Sequence, residues 1–298
     1  MDRVPQQPLL AFAAAIVAVG FLSAMDAAMK SVSLDHGALS ALAWRALIAV
    51  PVVALPYFLT RRDRPTSAAL RYHFIRGALM VPMSLTFFWG LKFVPMAQAI
   101  ALAFIAPLIA LILAGVLLKE TIGPRIVAGS ILAFAGVLSI LAGQAQAALG
   151  RDALWGSLAI LFSAVLYAFN IVLMRRQSQS AAPLEIAFFY FAIAGAGFWL
   201  VAIPLGPPSF PASSAVDLLL ATGLSILGML GLAWAYARAG AGYLSASEYS
   251  GFLWAALFGF LIFGEIPSPW TVAGAAAIIA GCWVAARPER TPHPMETA

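Results

Sequence analysis

Ten runs of about twenty apolar residues, each stopped by proline, glycine or charge, take up almost the whole 298-residue chain. A bilayer-crossing helix needs about 20 mostly apolar residues. The runs therefore predict spans at approximately 9–30, 38–60, 70–93, 95–118, 122–143, 152–174, 183–206, 214–238, 240–264 and 268–287. The breaks between them have local causes. Arg61-Arg62-Asp63-Arg64-Pro65 divides the second run from the third, and Lys119-Glu120 with Gly123-Pro124 divides the fourth from the fifth. The Pro204–Pro211 stretch and Pro267-Ser268-Pro269 punctuate the later ones. Only 10% of residues are charged, where a water-facing surface uses about 25%. A soluble enzyme and a disordered chain are both excluded, and the expected fold class is an all-α polytopic membrane protein.

The formal charge of +5 would suggest nucleic acid as the partner of a soluble protein. Here its distribution points to membrane orientation instead. With ten spans, alternate connections share a side. One set holds Arg3, Arg61, Arg62, Arg64, Arg71, Arg76, Lys119, Arg125, Arg175, Arg176, Arg238, Arg287 and Arg290; the other holds only Lys30, Lys92 and Arg151. This predicts an inner (plasma) membrane protein with both termini cytoplasmic. The first run has a weak n-region and no good A-x-A site, so it reads as an uncleaved span. Residues 288–298 read as a polar cytoplasmic tail. The single Cys282 can form neither an intrachain disulfide nor a metal cluster.

Sliding the chain against itself gives a second constraint. At an offset of 145 residues Glu120 falls on Glu265, Pro124 on Pro269, Gly129 on Gly274, Gly136 on Gly281, Ala101 on Ala246 and Trp89 on Trp234. Glycines seven residues apart return to nearly one helix face and let a neighbouring backbone approach closely. The expected organisation is two five-helix repeats, at 9–143 and 152–287. Five is odd, so the second would lie inverted relative to the first. Inverted repeats of this kind are the architecture of secondary transporters, with the substrate site near the midplane at the repeat interface.

The segment AxxxxxxPLIALILAGVLLKE, the following G-x6-G and Arg45 in the second run resemble the EamA-type drug/metabolite transporter superfamily, over about 9–287. The resemblance implies a ten-helix carrier of two inverted repeats. Within the superfamily the chain looks most like the amino acid exporters of the YddG type, while relatives also export drugs and metabolites or import vitamins. The second repeat departs from the first where Tyr190 stands for Arg45 and Phe252 for Pro107. A helix bend at Pro107 need not be mirrored.

An ionisable group inside a bilayer costs at least about 2.5–3.5 kcal/mol and must face a partner, cavity or interface. Asp26 and Arg45 have similar depths on adjacent antiparallel helices, so an ion pair is expected, structural or acting as a gate. Arg76 and Glu248 lie about 9 and 12 Å in from the other side at 1.5 Å per residue, close enough to pair across the repeats. Glu248 is the one carboxylate near the middle, with Ala103 as its repeat counterpart, and is the candidate for a proton or a substrate cation. Met83, Phe87, Gln98, Trp234, Tyr243, Ser247 and Tyr249 complete the predicted substrate cavity, apolar with a few convergent polar groups. A free amino acid with a large apolar side chain suits it, Arg76 taking the carboxylate and Glu248 or Gln98 the ammonium. A cationic drug would need Glu248 and aromatic faces alone.

No phosphate-binding loop, H-E-x-x-H, G-x-S-x-G or Asp-rich metal motif occurs. No cofactor, no metal and no catalytic residue is expected, and His73 reads as an interfacial residue. The expected function is secondary-active export of amino acids or similar metabolites, with the lipid bilayer and a small-molecule substrate as partners and a monomer as the assembly. A vitamin or nucleoside importer, a drug exporter and a non-transporting membrane protein stand as alternatives.

Overall fold

The computed structural model describes residues 8–60, 64–106, 108–110, 112–113, 124–146, 150–177, 181–236, 238 and 247–286. Among these the chain forms ten α-helices and no strand. They are α1 Pro8–His36, α2 Ala38–Thr60, α3 Ser67–Gly90, α4 Met96–Ala103, α5 Pro124–Gln146, α6 Gly150–Gln177, α7 Pro183–Leu205, α8 Ala215–Tyr236, α9 Ser250–Phe263 and α10 Pro269–Ala286. One helix overlaps each predicted run. Five helical segments, Leu9–His36, Ala38–Thr60, Gly150–Leu173, Leu184–Leu205 and Ala212–Leu232, are long and apolar enough to cross a bilayer. Four more, 96–110, 127–143, 250–263 and 269–284, are apolar but shorter. The remaining helix, α3, is 24 residues long and carries Arg71, His73 and Arg76 in its first half.

Turn chemistry sets several boundaries. Gly37 has φ +82°, and this left-handed residue lets α2 begin immediately after α1 ends. Thr66 caps α3, its hydroxyl accepting the Ala69 N–H at 3.2 Å. Pro183 and Pro269 open α7 and α10, at the position where a missing N–H does no harm. The first helix of the fourth run ends at Ala103, followed by a turn at Phe104–Ile105 and helical residues 108–110. Pro107 itself lies outside the described residues.

Helix packing follows the 145-residue register. The most extensive contacts are α5 with α10, α1 with α8, α3 with α6 and α2 with α7. Adding five to each helix number maps α1–α8 onto α6–α3 and leaves α2–α7 and α5–α10 unchanged. The glycines that align the repeats in sequence touch each other in space. A Cβ on Gly136 would lie 2.6 Å from the Gly274 carbonyl oxygen, and one on Gly281 would lie 2.5 Å from that of Gly129. Both contacts join α5 to α10, so the close approach expected from the seven-residue spacing is present.

The largest apolar core contains Met29, Leu42, Met96, Leu102, Ile160 and Leu218, drawn from α1, α2, α4, α6 and α8. The outward faces are just as apolar: Leu59, Leu200, Leu205, Val216, Leu253 and Leu261 are all exposed. A belt of this kind has lipid as its natural solvent.

Candidate functional site

Polar groups gather at three levels along the helices. At the first, where α1 ends and α3 has just finished, Lys30 Nζ donates to the Val94 carbonyl at 3.0 Å and forms an ion pair with Glu265. The other carboxylate oxygen of Glu265 accepts the Met96 N–H at 2.7 Å. Phe263 lies under the ammonium, 4.9 Å from Nζ. One carboxylate in the α9–α10 connection thus ties α1 to the start of α4.

The second level is at the start of α3, the opposite end of that helix. Glu185 on α7 lies 2.8 Å from His73 Nε2, and His73 Nδ1 lies 2.6 Å from Gln177 Nε2 on α6. Gln177 Oε1 accepts from Arg76 Nη1 at 2.5 Å, and Arg76 Nε donates to Asn170 Oδ1 at 2.7 Å. His73 is 1% exposed and stacks on Phe189, with ring centroids 4.4 Å apart. It is buried rather than interfacial, because three helices close over its ring. The reading of His73 as an interfacial residue is corrected accordingly.

Between these two levels lie Asp26, Arg45, Tyr167, Tyr190 and Glu248. Tyr167 sits in the electrostatic field of Glu248, Arg76, Tyr190 and Asp26 together. Glu248 and Tyr167 are exposed, and Asp26, Arg76 and Tyr190 are half-buried, although every one of them belongs to a membrane-type helical bundle. Two carboxylates, Asp26 and Glu248, and the guanidinium of Arg45, itself buried, thus stand between the two levels, with Arg76 bordering them.

The structure gathers some of the predicted site residues and not others. Asp26 feels Arg45 electrostatically, but among the described residues the ion pairs within 4.0 Å are Lys30–Glu265 and His73–Glu185. The expected Asp26–Arg45 pair is not closed. Arg45 Nη1 donates instead to Met25 Sδ at 3.3 Å, and its buried Nε has no partner. The bonds of Arg76 go to Asn170 and Gln177, not to Glu248. Gln98 is buried and donates to Ser157 Oγ on α6 at 3.3 Å. Met83 and Phe87 pack against the main core, and the Met83 carbonyl accepts from Ser163 Oγ at 2.8 Å. Tyr249 meets Phe104 edge-on at 5.5 Å and reaches Cys282. Ser247 is buried beside Glu248, while Trp234 carries the Arg238 guanidinium 4.0 Å from its ring, near the end of α8. Tyr243 lies outside the described residues. A separate groove of about 400 Å³ between the α1–α2 turn and the end of α3 is lined by His36, Leu39, Ser40, Leu85, Trp89 and Lys92, none of them a predicted cavity residue.

Sequence reasoning missed Asn170, Tyr167 and Gln177. A signal was present: Asn170 and Gln177 are seven residues apart in an apolar helix, and so share a face.

The sequence profile of the EamA-like transporter family matches the chain twice, over residues 9–142 and 154–287. The chain belongs to the EamA-like transporter family. It is 28% identical over 286 residues to a pseudopaline exporter of Pseudomonas aeruginosa, covering 93% of this chain and 95% of that one. It is also 28% identical over 233 residues to a riboflavin transporter of Vibrio cholerae, covering 76% of each. A protein of known crystal structure, 21% identical, superposes with a TM-score of 0.61 over 94% of this chain and 98% of its own, a likeness of fold alone. This EamA-family chain is thus a multi-pass membrane transporter of a small molecule. The resemblance drawn from the helix-4 segment, the glycines and Arg45 is borne out at the level of the superfamily.

Proposed function

We propose that the chain is a secondary-active carrier that exports small amphoteric metabolites, amino acids with large apolar or aromatic side chains foremost, by alternating access. The observation that supports this reading is the set of opposite charges, Asp26 and Glu248 with Arg45 and Arg76, gathered with Tyr167 and Tyr190 within electrostatic reach of one another. Both signs of charge stand there among aromatic rings, as a zwitterion with an apolar body requires. A full-length relative that exports pseudopaline supports the outward direction.

In this reading all ten helices cross the inner membrane, both termini are cytoplasmic, and residues 9–143 and 152–287 are inverted repeats. The 13-to-3 distribution of basic residues and the helix pairing that obeys the 145-residue register support it. Glu248 meets the substrate's ammonium and Arg76 its carboxylate. Met83, Phe87, Gln98, Ser247, Tyr249, Tyr243 and Trp234 belong to the cavity wall at some stage of the cycle, Asp26 and Arg45 to its gate, and Pro107 to a helix bend. The Lys30–Glu265 clasp then closes the outer end.

A second reading, import of a flat vitamin-like compound, is supported by the riboflavin transporter among the relatives and by the rings of Phe104, Tyr249, Tyr167 and Tyr190. Counterflow into proteoliposomes from a mixed metabolite pool separates the two. Exchange of amino acids supports the first, exchange of flavin-like compounds the second, and no exchange at all refutes both.

A further inference from the structure

The buried chain Glu185–His73–Gln177–Arg76–Asn170 fixes a protonation state. A guanidinium has five N–H donors and no acceptor, and it stays charged. The atom of Gln177 that faces Arg76 Nη1 at 2.5 Å must therefore be the carbonyl oxygen. Its NH2 then faces His73 Nδ1 at 2.6 Å. An NH2 group donates, so Nδ1 carries the lone pair and the ring proton sits on Nε2, where it is donated to Glu185 Oε1 at 2.8 Å. The positions of Arg76 and Gln177 together hold His73 as the neutral Nε2–H tautomer.

A proton arriving at Nδ1 breaks this arrangement, because Nδ1–H would then meet an NH2. The Gln177 amide has to turn over to offer its oxygen to the ring. Its NH2 then faces the guanidinium, donor against donor, and Arg76 loses one acceptor while keeping Asn170 at 2.7 Å. We propose that His73, acting through the Gln177 amide, decides whether Arg76 is free to take a carboxylate, so that a proton at His73 and a carboxylate at Arg76 bind cooperatively. The step forms one N–H bond at Nδ1 and breaks one O–H bond of a hydronium ion in the surrounding solvent; no bond within the protein is broken, and release reverses the step. The proposal rests on the reading of Arg76 as a residue of the transport cavity.

The groups around the ring fit this role. Glu185 on α7 is the counter-charge for a protonated ring and keeps its bond to Nε2–H in both states. Phe189, also on α7, covers one ring face, and Tyr57 on α2 packs edge-on against Phe189. Arg71 and Arg76 are the cations of α3 itself. Tyr190 on α7 and Tyr167 on α6 interact electrostatically with Arg76, and Tyr167 in turn feels Glu248 and Asp26. The 145-residue register places Leu218, Val32, Ser40 and Ala221 opposite His73, Gln177, Glu185 and Arg76. None of these can titrate, so only one end of the bundle senses protons in this way.

Histidine-selective nitrogen NMR on the full chain in lipid nanodiscs tests the proposal, with His36→Gln and His293→Gln leaving His73 as the ring observed. At neutral pH the proton should be on Nε2; an Nδ1–H tautomer would overturn the proposal. Titration between about pH 5 and 8 is then repeated with sodium acetate replacing sodium chloride, acetate serving as the probe carboxylate. Linked sites are typically coupled by about five-fold or more, so acetate should raise the His73 midpoint by about 0.7 unit. An unmoved midpoint overturns the linkage. Arg76→Gln should abolish the acetate shift. So should Gln177→Leu, which keeps both ionisable groups and covers the case in which Arg76→Gln does not fold. A shift that survives Gln177→Leu also overturns the proposal, because a through-space field needs no amide. Transport is read separately: proteoliposomes that move no amino acid while the acetate shift stands refute the substrate reading and support the linkage.

Discussion

Gly136 and Gly274 meet backbone to backbone: a Cβ on either residue would lie 2.6 Å from the carbonyl oxygen of the other. The two residues belong to different repeats and to helices, α5 and α10, that map onto each other. This contact therefore sits where the two halves of the chain are most directly joined. A backbone oxygen cannot rotate away as a side chain can, so any added carbon must push the helices apart.

Gly136→Val and Gly274→Val should each destabilise the protein by about 1–3 kcal/mol through overpacking. Gly223→Ala, within α8 and where a Cβ meets nothing within 4 Å, should cause no loss and should stabilise by up to about 1 kcal/mol through helix propensity. Thermal unfolding in one detergent checks all three. Equal losses at Gly136 and Gly223 would show that the α5–α10 approach is not a packing constraint.

The Lys30–Glu265 clasp yields a comparison with Asp26 and Arg45. Removing one partner of a buried pair costs about 3–5 kcal/mol, because the remaining charge is left unpaired. Lys30→Met should therefore be worse than Lys30→Met/Glu265→Gln, with a coupling energy above about 1 kcal/mol. Asp26→Asn and Arg45→Met, whose groups make no contact within 4.0 Å, should couple more weakly than that. Two double-mutant cycles read by thermal unfolding decide it, and a stronger Asp26–Arg45 coupling would reverse the assignment.

These two pairs show how far the sequence could be read. Span positions and the repeat register were legible because apolar runs and glycine spacing are local patterns, and the glycine spacing carried through to Gly136–Gly274 and Gly129–Gly281. Partner choice was not. Depth along a helix placed Asp26 near Arg45, but rotation about the helix axes, set by packing, turns Arg45 toward Met25. Lys30 was counted as a loop charge; it lies inside α1 because that helix continues to His36. The polar chain through His73 depends on Asn170 and Gln177, neutral residues that a search for charges passes over.

The topology has its own test. Reporter fusions after Arg64, Arg176 and Arg290 should report the cytoplasm, and fusions after Lys92 and Pro208 the outer side. Assigned to the nearer side, basic residues number 13 on one side and 3 on the other, although Lys30 lies within α1 and Arg71 and Arg76 within α3, and this bias supports the orientation through the positive-inside rule. If Arg64 and Pro208 report the same compartment, the ten-span arrangement is wrong.

The last prediction concerns Glu248, an exposed carboxylate just before α9, within electrostatic reach of Tyr167 and Tyr249. Its repeat counterpart is Ala103, so the fold itself does not call for a charge at this position. Glu248→Gln keeps volume and hydrogen bonding but removes the negative charge. If Glu248 holds the substrate's ammonium, the mutant should lose at least about tenfold in affinity, or about 1.4 kcal/mol. Analogues that keep the carboxylate and lack the amine should bind the mutant as well as the parent. Arg76→Gln should show the reverse preference, sparing amines that lack the carboxylate. Competition counterflow in proteoliposomes, with the zwitterion and both truncated analogues, reads the two variants side by side. Equal losses for all three ligands in Glu248→Gln would mean that the carboxylate shapes the interior without touching the substrate.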